Sequence, residues 1–308
     1  MREQLPALTF VCPLLVGIAM PLIGLAKRAW CRPATIGALG VMSVLAVASY
    51  VAVLSGGEVR YAFSGWAAPI GIEWIADGLS SLLLVVLALL ALTAVVYGGP
   101  LTPQGLGNRI VPYYTLIMLL MTGLTGVVMS GDLFNIFVFL EVASLSSYGL
   151  VAVAGGPALL AAFRYLILGT IGASFYLLGV AYFYAVTGTL NMDDLAHRLP
   201  ELLESKAVIA GLIFMMIGLG IKMALVPLHG WLPDAYTHAP DGVTSLIAPL
   251  VTKVAMFAVI RIMFWVLGTN TVIYHIPVLM IVGWIAAMAT IVGAFLALNQ
   301  QDVKRLFT

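Results

Sequence analysis

Nine apolar stretches, each long enough to cross a lipid bilayer, take up most of this 308-residue chain. A spanning helix needs about 20 predominantly apolar residues, and the stretches run over 5–26, 34–55, 75–97, 111–130, 132–154, 160–187, 206–236, 242–267 and 273–298. The connections are short and leave no room for a soluble domain. Hydrophobic residues make up 62% of the chain and charged residues 9%, against about 25% charged in soluble domains. The polar and apolar alternation of barrel strands is missing. Inside hydrocarbon a helix satisfies its own backbone polar groups, so the expected fold class is all-α, a polytopic membrane bundle of about nine transmembrane helices.

Charge placement orients the bundle. Lys27, Arg28 and Arg32 follow the first span, the reverse of a signal peptide, so that span is expected to be retained with the N-terminus outside the cell membrane. Alternate threading puts Arg109, Arg164, Lys304 and Arg305 with those three on the cytoplasmic side, and Arg2, Arg60, Arg198, Lys206 and Arg261 in the outward loops. The bias of seven basic residues against five agrees with the positive-inside rule. No basic run points to nucleic acid, and the lipid bilayer is the expected surroundings. Cys12 and Cys31 are the only cysteines; they read as apolar packing, with no metal site and no disulfide framework. No phosphate loop or dinucleotide fingerprint appears, so no cofactor is expected on this chain.

Three ionisable residues interrupt the apolar spans: Glu141, Lys222 and Lys253. Charges at membrane depth are costly and usually mark ion pathways. Glu141 lies nine residues after Asp132, about 13 Å along a helix. Ser144 and Tyr148 share its face at i+3 and i+7. Burial disfavours the charged form of such a carboxylate and a nearby ammonium favours it, which makes it switchable. The plainer reading is a glutamate that only pins two helices through an ion pair.

Lys222 sits in a span that breaks itself at Pro227 and again at Pro233, because proline lacks the N–H that continues the ladder. Freed backbone groups at depth are tolerated beside protein or a water-lined cavity, so residues 224–233 are expected to line one. Discontinuous helices are a recurring ion-site device, and a desolvated lysine can accept and release a proton. The competing reading is a lysine that snorkels to the interface. Lys253 lies in the eighth span, four residues after Pro249, which loosens the helix there. His229 and His238 flank the connection between the two lysine helices and titrate in the right range to pass protons, although a structural role fits each, His238 most of all. Asp234, Ser144 and Tyr148 complete the accessory candidates. Gly169, Gly172 and Gly179 in the sixth span read as close helix packing.

The segments GDLFNIFVFLE, IKMALVPLHGWLPDAYTHAP, LVTKVAMFAVIR and QQDVKRL together resemble the antiporter-like subunits shared by respiratory complex I, membrane-bound hydrogenases and Mrp-type sodium/proton antiporters. The stretch RYLILGTIGASFYLLGVAYFYAVTGTLNMDDLA is most similar to the Mrp D subunit. The resemblance implies inverted five-helix repeats, each with a broken helix and buried charges. It implies residues 1–110 as an N-terminal three-helix segment, 111–267 as the first repeat, and 268–308 as the start of a second. It also implies a relay in which Glu141 pairs with Lys222 and Lys253 hands protons onward, with His229 matching the family histidine. Family members have about fourteen spans, so the end at Thr308 is expected to be either a truncation or a natural split in which a separate chain supplies the other half.

The expected function is a proton-translocating subunit that works with other membrane subunits, exchanging protons for a cation such as sodium. An alternative is the pumping subunit of an NADH:quinone oxidoreductase or membrane-bound hydrogenase. A third is a truncated scaffold that transports nothing. No redox or hydrolytic site is visible on the chain itself.

Overall fold

The computed structural model describes residues 2–101, 106–275 and 277–306; Thr308, where the chain stops, lies outside them. Helix α1 covers Leu5–Ala26 and α2 covers Cys31–Gly56. A short antiparallel hairpin follows, β1 at Val59–Ala62 and β2 at Glu73–Ala76. Then come α3 (Gly78–Leu101), α4 (Ile110–Met129), α5 (Leu133–Ala152) and α6 (Pro157–Thr187). A one-sided excursion, α7 at Met192–Arg198, precedes α8 at Lys206–Lys222. The chain continues with α9 (Leu232–His238), α10 (Asp241–Ile260), a π-helical turn at Arg261–Val266, α11 (Val278–Leu298) and α12 (Val303–Leu306).

Eight of these helices are long and apolar enough to span a membrane. The remaining expected span, the seventh at 206–236, is the broken pair α8 and α9, whose first half is only 17 residues long. The chain is therefore an all-α polytopic membrane protein with a discontinuous seventh span. The hairpin was not anticipated from hydropathy. It joins the ends of α2 and α3 with four-residue strands, too short to leave a periodic signal in the sequence.

The helices start and stop where local chemistry dictates. The Asp132 side chain accepts a hydrogen bond from the Asn135 N–H at 2.9 Å and so caps α5. Pro157 sits in the first turn of α6, where a missing N–H costs nothing. At the far end of α6, Gly188 adopts the left-handed conformation and closes the helix.

Helices α4 and α5 form the buried centre, with α1, α3, α6 and α10 packed around them. The tightest seam joins α6 to α8. Gly172 faces Gly218 and Gly179 faces Gly211, so two glycine pairs one heptad apart let the backbones touch. A Cβ on Gly218 would stand 2.5 Å from the Gly172 carbonyl oxygen and 2.6 Å from the Tyr176 nitrogen. In contrast, α11 has no buried residue among those described.

Gly218→Ala is therefore expected to lower the melting temperature of the detergent-solubilised protein, since overpacking of this kind costs about 1–3 kcal/mol. Gly40→Ala, whose added methyl meets open space, is the control and should leave stability unchanged or raise it slightly.

Candidate functional site

The broken seventh span ends its first half on Lys222. The Met223 N–H bonds to the Leu219 carbonyl at 2.8 Å and the Leu225 N–H to Gly220 at 2.8 Å. Ala224 takes a left-handed φ of 58°, a conformation that disfavours a residue with a Cβ. A chain turned this sharply cannot resume the helix, and α9 begins only at Leu232. The last turn of α8 thus delivers the Lys222 ammonium at a helix C-terminus, where the backbone dipole favours a cation.

The ammonium lands on one stripe of α5. Lys222 Nζ donates to Glu141 Oε1 at 2.8 Å and to Ser144 Oγ at 2.6 Å, and lies 3.5 Å from the Tyr148 hydroxyl. Three N–H donors meet three acceptors spaced i, i+3 and i+7. The Lys222 side chain is 6% exposed and that of Glu141 23%, so the cation is enclosed while one side of the carboxylate stays open. Gly169 on α6 is part of the arrangement, because a Cβ there would occupy the place of the Tyr148 hydroxyl.

The other anticipated residues lie apart from this cluster. Lys253, expected to be a buried charge, is exposed on α10 and donates to the Ala248 carbonyl of its own helix at 2.9 Å. It makes no direct contact with Lys222 or Glu141 among the described residues. His229 is half-buried within the break, and its Nδ1 has no hydrogen-bond partner among the described residues. His238 is exposed, with Nδ1 2.9 Å from the Asp234 carbonyl oxygen of the preceding turn. Asp234 is held between Arg164 at 2.7 Å and Arg305 at 3.3 Å, an arrangement that ties α9 to α6 and α12. Pro227 lies within the stretch between α8 and α9, and Pro233 is the second residue of α9. No group of three or more His, Cys, Asp or Glu side chains is placed to hold a metal ion among the described residues.

At the opposite end from Asp234 the structure holds a polar network not anticipated from sequence. Arg261, expected in a loop, is buried in the π-helical turn, donates to Asp77 at 2.5 Å and packs against Phe257 and Trp265. Asp193 accepts from Arg60 at 2.6 Å and from the Trp265 indole at 2.6 Å. Buried Glu73 accepts from Asn191 at 2.8 Å. Burial pushes the Asp77 carboxyl up, but hydrogen bonding and charge from Arg261, with help from Ser80, outweigh it and hold the group below its ordinary value.

A bundle of apolar helices around a broken span, with an enclosed lysine on the Glu141, Ser144 and Tyr148 stripe, defines a polytopic membrane subunit of the antiporter-like class. The family described as "NADH:quinone oxidoreductase/Mrp antiporter, TM" matches residues 130–308, more than half the chain, and the chain belongs to that family. It is 43% identical over 311 residues to "NADH-quinone oxidoreductase subunit N" of Desulforudis audaxviator, an alignment covering 99% of this chain and 61% of the relative. The fold superposes with a TM-score of 0.91 on a chain of the membrane-bound sulfane sulfur reductase, an archaeal respiratory membrane complex, at 30% identity over 99% of this chain and 61% of that one. It superposes with a TM-score of 0.86 on a chain of the Mrp complex from Dietzia, at 28% identity over 99% of this chain and 55% of that one. The chain thus spans about three fifths of the length of the relative and of these structures.

Arg261→Ala would leave Asp77 without its guanidinium, and breaking a buried pair costs about 3–5 kcal/mol, so a lower melting temperature is expected. The Asp77 carboxyl titrates below its unfolded value, so its contribution is complete above the ordinary carboxylate range and is lost as pH falls through the folded-state titration. The melting-temperature gap between wild type and Asp77→Asn should accordingly close on acidification.

Proposed function

We propose that the chain moves protons across a membrane as one subunit of a multisubunit complex, with Glu141 and Lys222 as the coupled switch. The observation that carries this reading is the enclosed ammonium on the Glu141, Ser144 and Tyr148 stripe. A lysine with all its donors engaged and almost no solvent keeps its charge only while the carboxylate stays near. Moving a proton on or off either member changes the charge that the other faces. Glu141 has the open side and is the member that exchanges protons with its surroundings.

Within this reading Lys253 is the next station. Its side chain is exposed on α10, which suits transfer to a group outside the described bundle. His229, with a buried Nδ1 that lacks a partner among the described residues, sits at the break and can take or give a proton there. Asp234 and His238 act at the end of the broken span, where the arginine pairs of Asp234 fit an anchoring part better than a relay step. Residues 1–110, 111–267 and 268–308 then serve as an N-terminal segment, the repeat that carries the switch, and the start of a second repeat. The N-terminus faces outward in this arrangement, following the basic-residue bias.

Two versions share this machinery. In one the proton is exchanged for sodium or another cation, and the likeness to the Mrp complex supports it. In the other the chain is the pumping subunit of a quinone-linked or related respiratory complex, which the subunit N relative and the sulfane sulfur reductase structure support. Both versions expect partner membrane subunits.

The test is proton movement in inverted vesicles that contain the complete complex. Glu141→Gln and Lys222→Ala are each expected to reduce it by about a hundredfold or more, the scale of a lost proton-transfer group, with the complex still assembled. Transport at the wild-type rate in either variant would refute the assignment. Proton movement that ignores sodium would exclude sodium exchange, and movement that ignores sodium, potassium and lithium alike would leave only the pump version.

A further inference from the structure

Trp231 is one of the largest fully buried side chains in the structure, and it stands on the far side of the break from Lys222. Its indole N–H donates to the Ile221 carbonyl at 2.9 Å. That carbonyl belongs to the last turn of α8, where backbone oxygens run out of helical partners, and Ile221 is the residue directly before Lys222. The indole ring lies parallel on Tyr165 of α6, centroids 4.0 Å apart. Tyr165 meets Tyr148 edge to face at 4.5 Å, and Tyr148 reaches Lys222. Two routes therefore lead from one residue to the same ammonium, one through the backbone and one through the aromatic rings.

We propose that Trp231 is a positioning residue that transmits the placement of α9 to Lys222, holding the end of α8 through the Ile221 carbonyl and the Tyr148 hydroxyl through Tyr165. This rests on the reading of Glu141 and Lys222 as the proton switch. A displacement of α9 would pull the indole from the carbonyl and slide it off Tyr165, and both changes reach the lysine site. Anchorage of α9 by Asp234 to Arg164 and Arg305 gives the lever a second fixed point. Trp231 itself carries no proton and touches none of the three acceptors of the ammonium among its described contacts. Facing Lys222 are Glu141 and Tyr148 of α5, with Tyr165 of α6 behind Tyr148 and Tyr236 of α9 behind Trp231 at 6.1 Å. His229 lies in the break, and Lys253 of α10 is turned outward.

The test is the pH dependence of proton movement in vesicles that contain the complete complex, with assembly followed in parallel. Trp231→Phe keeps a ring over Tyr165 but removes the N–H. Tyr165→Leu keeps the N–H but removes the ring beneath it. Each is expected to displace the midpoint of the pH profile by about half to one unit, the scale of one hydrogen bond at the site, while the complex assembles as in wild type. A profile that superimposes on wild type in Trp231→Phe, whatever its amplitude, would overturn the proposal, as would failure of both variants to accumulate. Lys222→Ala is run alongside. If it transports normally, the switch reading fails and this proposal falls with it; if it is inactive while Trp231→Phe keeps the wild-type profile, only this proposal fails.

Discussion

One ion pair sets the terms for the rest of this molecule. Lys222 is held by Glu141, Ser144 and Tyr148 where water is largely excluded, and a charge in that position is tenable only with its partners in place. Helix α8 must stop where it does to present the ammonium, α6 must carry glycines to let α8 approach and to clear the Tyr148 hydroxyl, and α5 must be capped in register by Asp132. A continuous helix through residues 223–231 would carry the chain past that point and leave no helix C-terminus for the ammonium.

The two ends of the bundle are stiffened differently. At one, Arg164 and Arg305 grip Asp234, and Lys304 donates to the Ala239 carbonyl and to Asp241 at 3.0 Å, so α12 fastens α9 and the start of α10. At the other, Arg261, Asp77, Arg60, Asp193, Glu73 and Asn191 join the hairpin, α3, α7 and the π-helical turn into one polar layer. Between these layers the core is apolar apart from the Lys222 site and scattered hydroxyls. The break in the seventh span lies directly beside that site, so the backbone groups it frees adjoin the buried charge.

Much of this was legible in the sequence, and the limits have physical causes. Span positions follow from hydropathy because backbone satisfaction in lipid allows only long helices, and observed ends such as Leu5–Ala26 and Pro157–Thr187 agree with the stretches 5–26 and 160–187 to within a few residues. The break followed from Pro227 and Pro233. The alignment of Ser144 and Tyr148 with Glu141 followed from helical spacing, and their contact with Lys222 shows the face they share. Which way a charge points was not legible. Lys222 and Lys253 both interrupt apolar helices, but such helices are apolar all round, so the pattern does not tell an inward face from an outward one. Arg261 was misplaced for a related reason: a charge near the end of a span reads as a loop residue unless its partner, here Asp77 184 positions away, is known. Trp231 was overlooked because its role depends on a hydrogen bond and a ring stack across the fold, and neither leaves a spacing in the chain.

The central claim is that Glu141 gains and loses a proton as Lys222 is engaged and released. Infrared difference spectroscopy of the complete complex, recorded between resting and energised membranes, tests it most directly. A carboxylic acid C=O band that appears with proton movement and disappears in Glu141→Gln is the result this account predicts. The same band persisting unchanged in Glu141→Gln would contradict it.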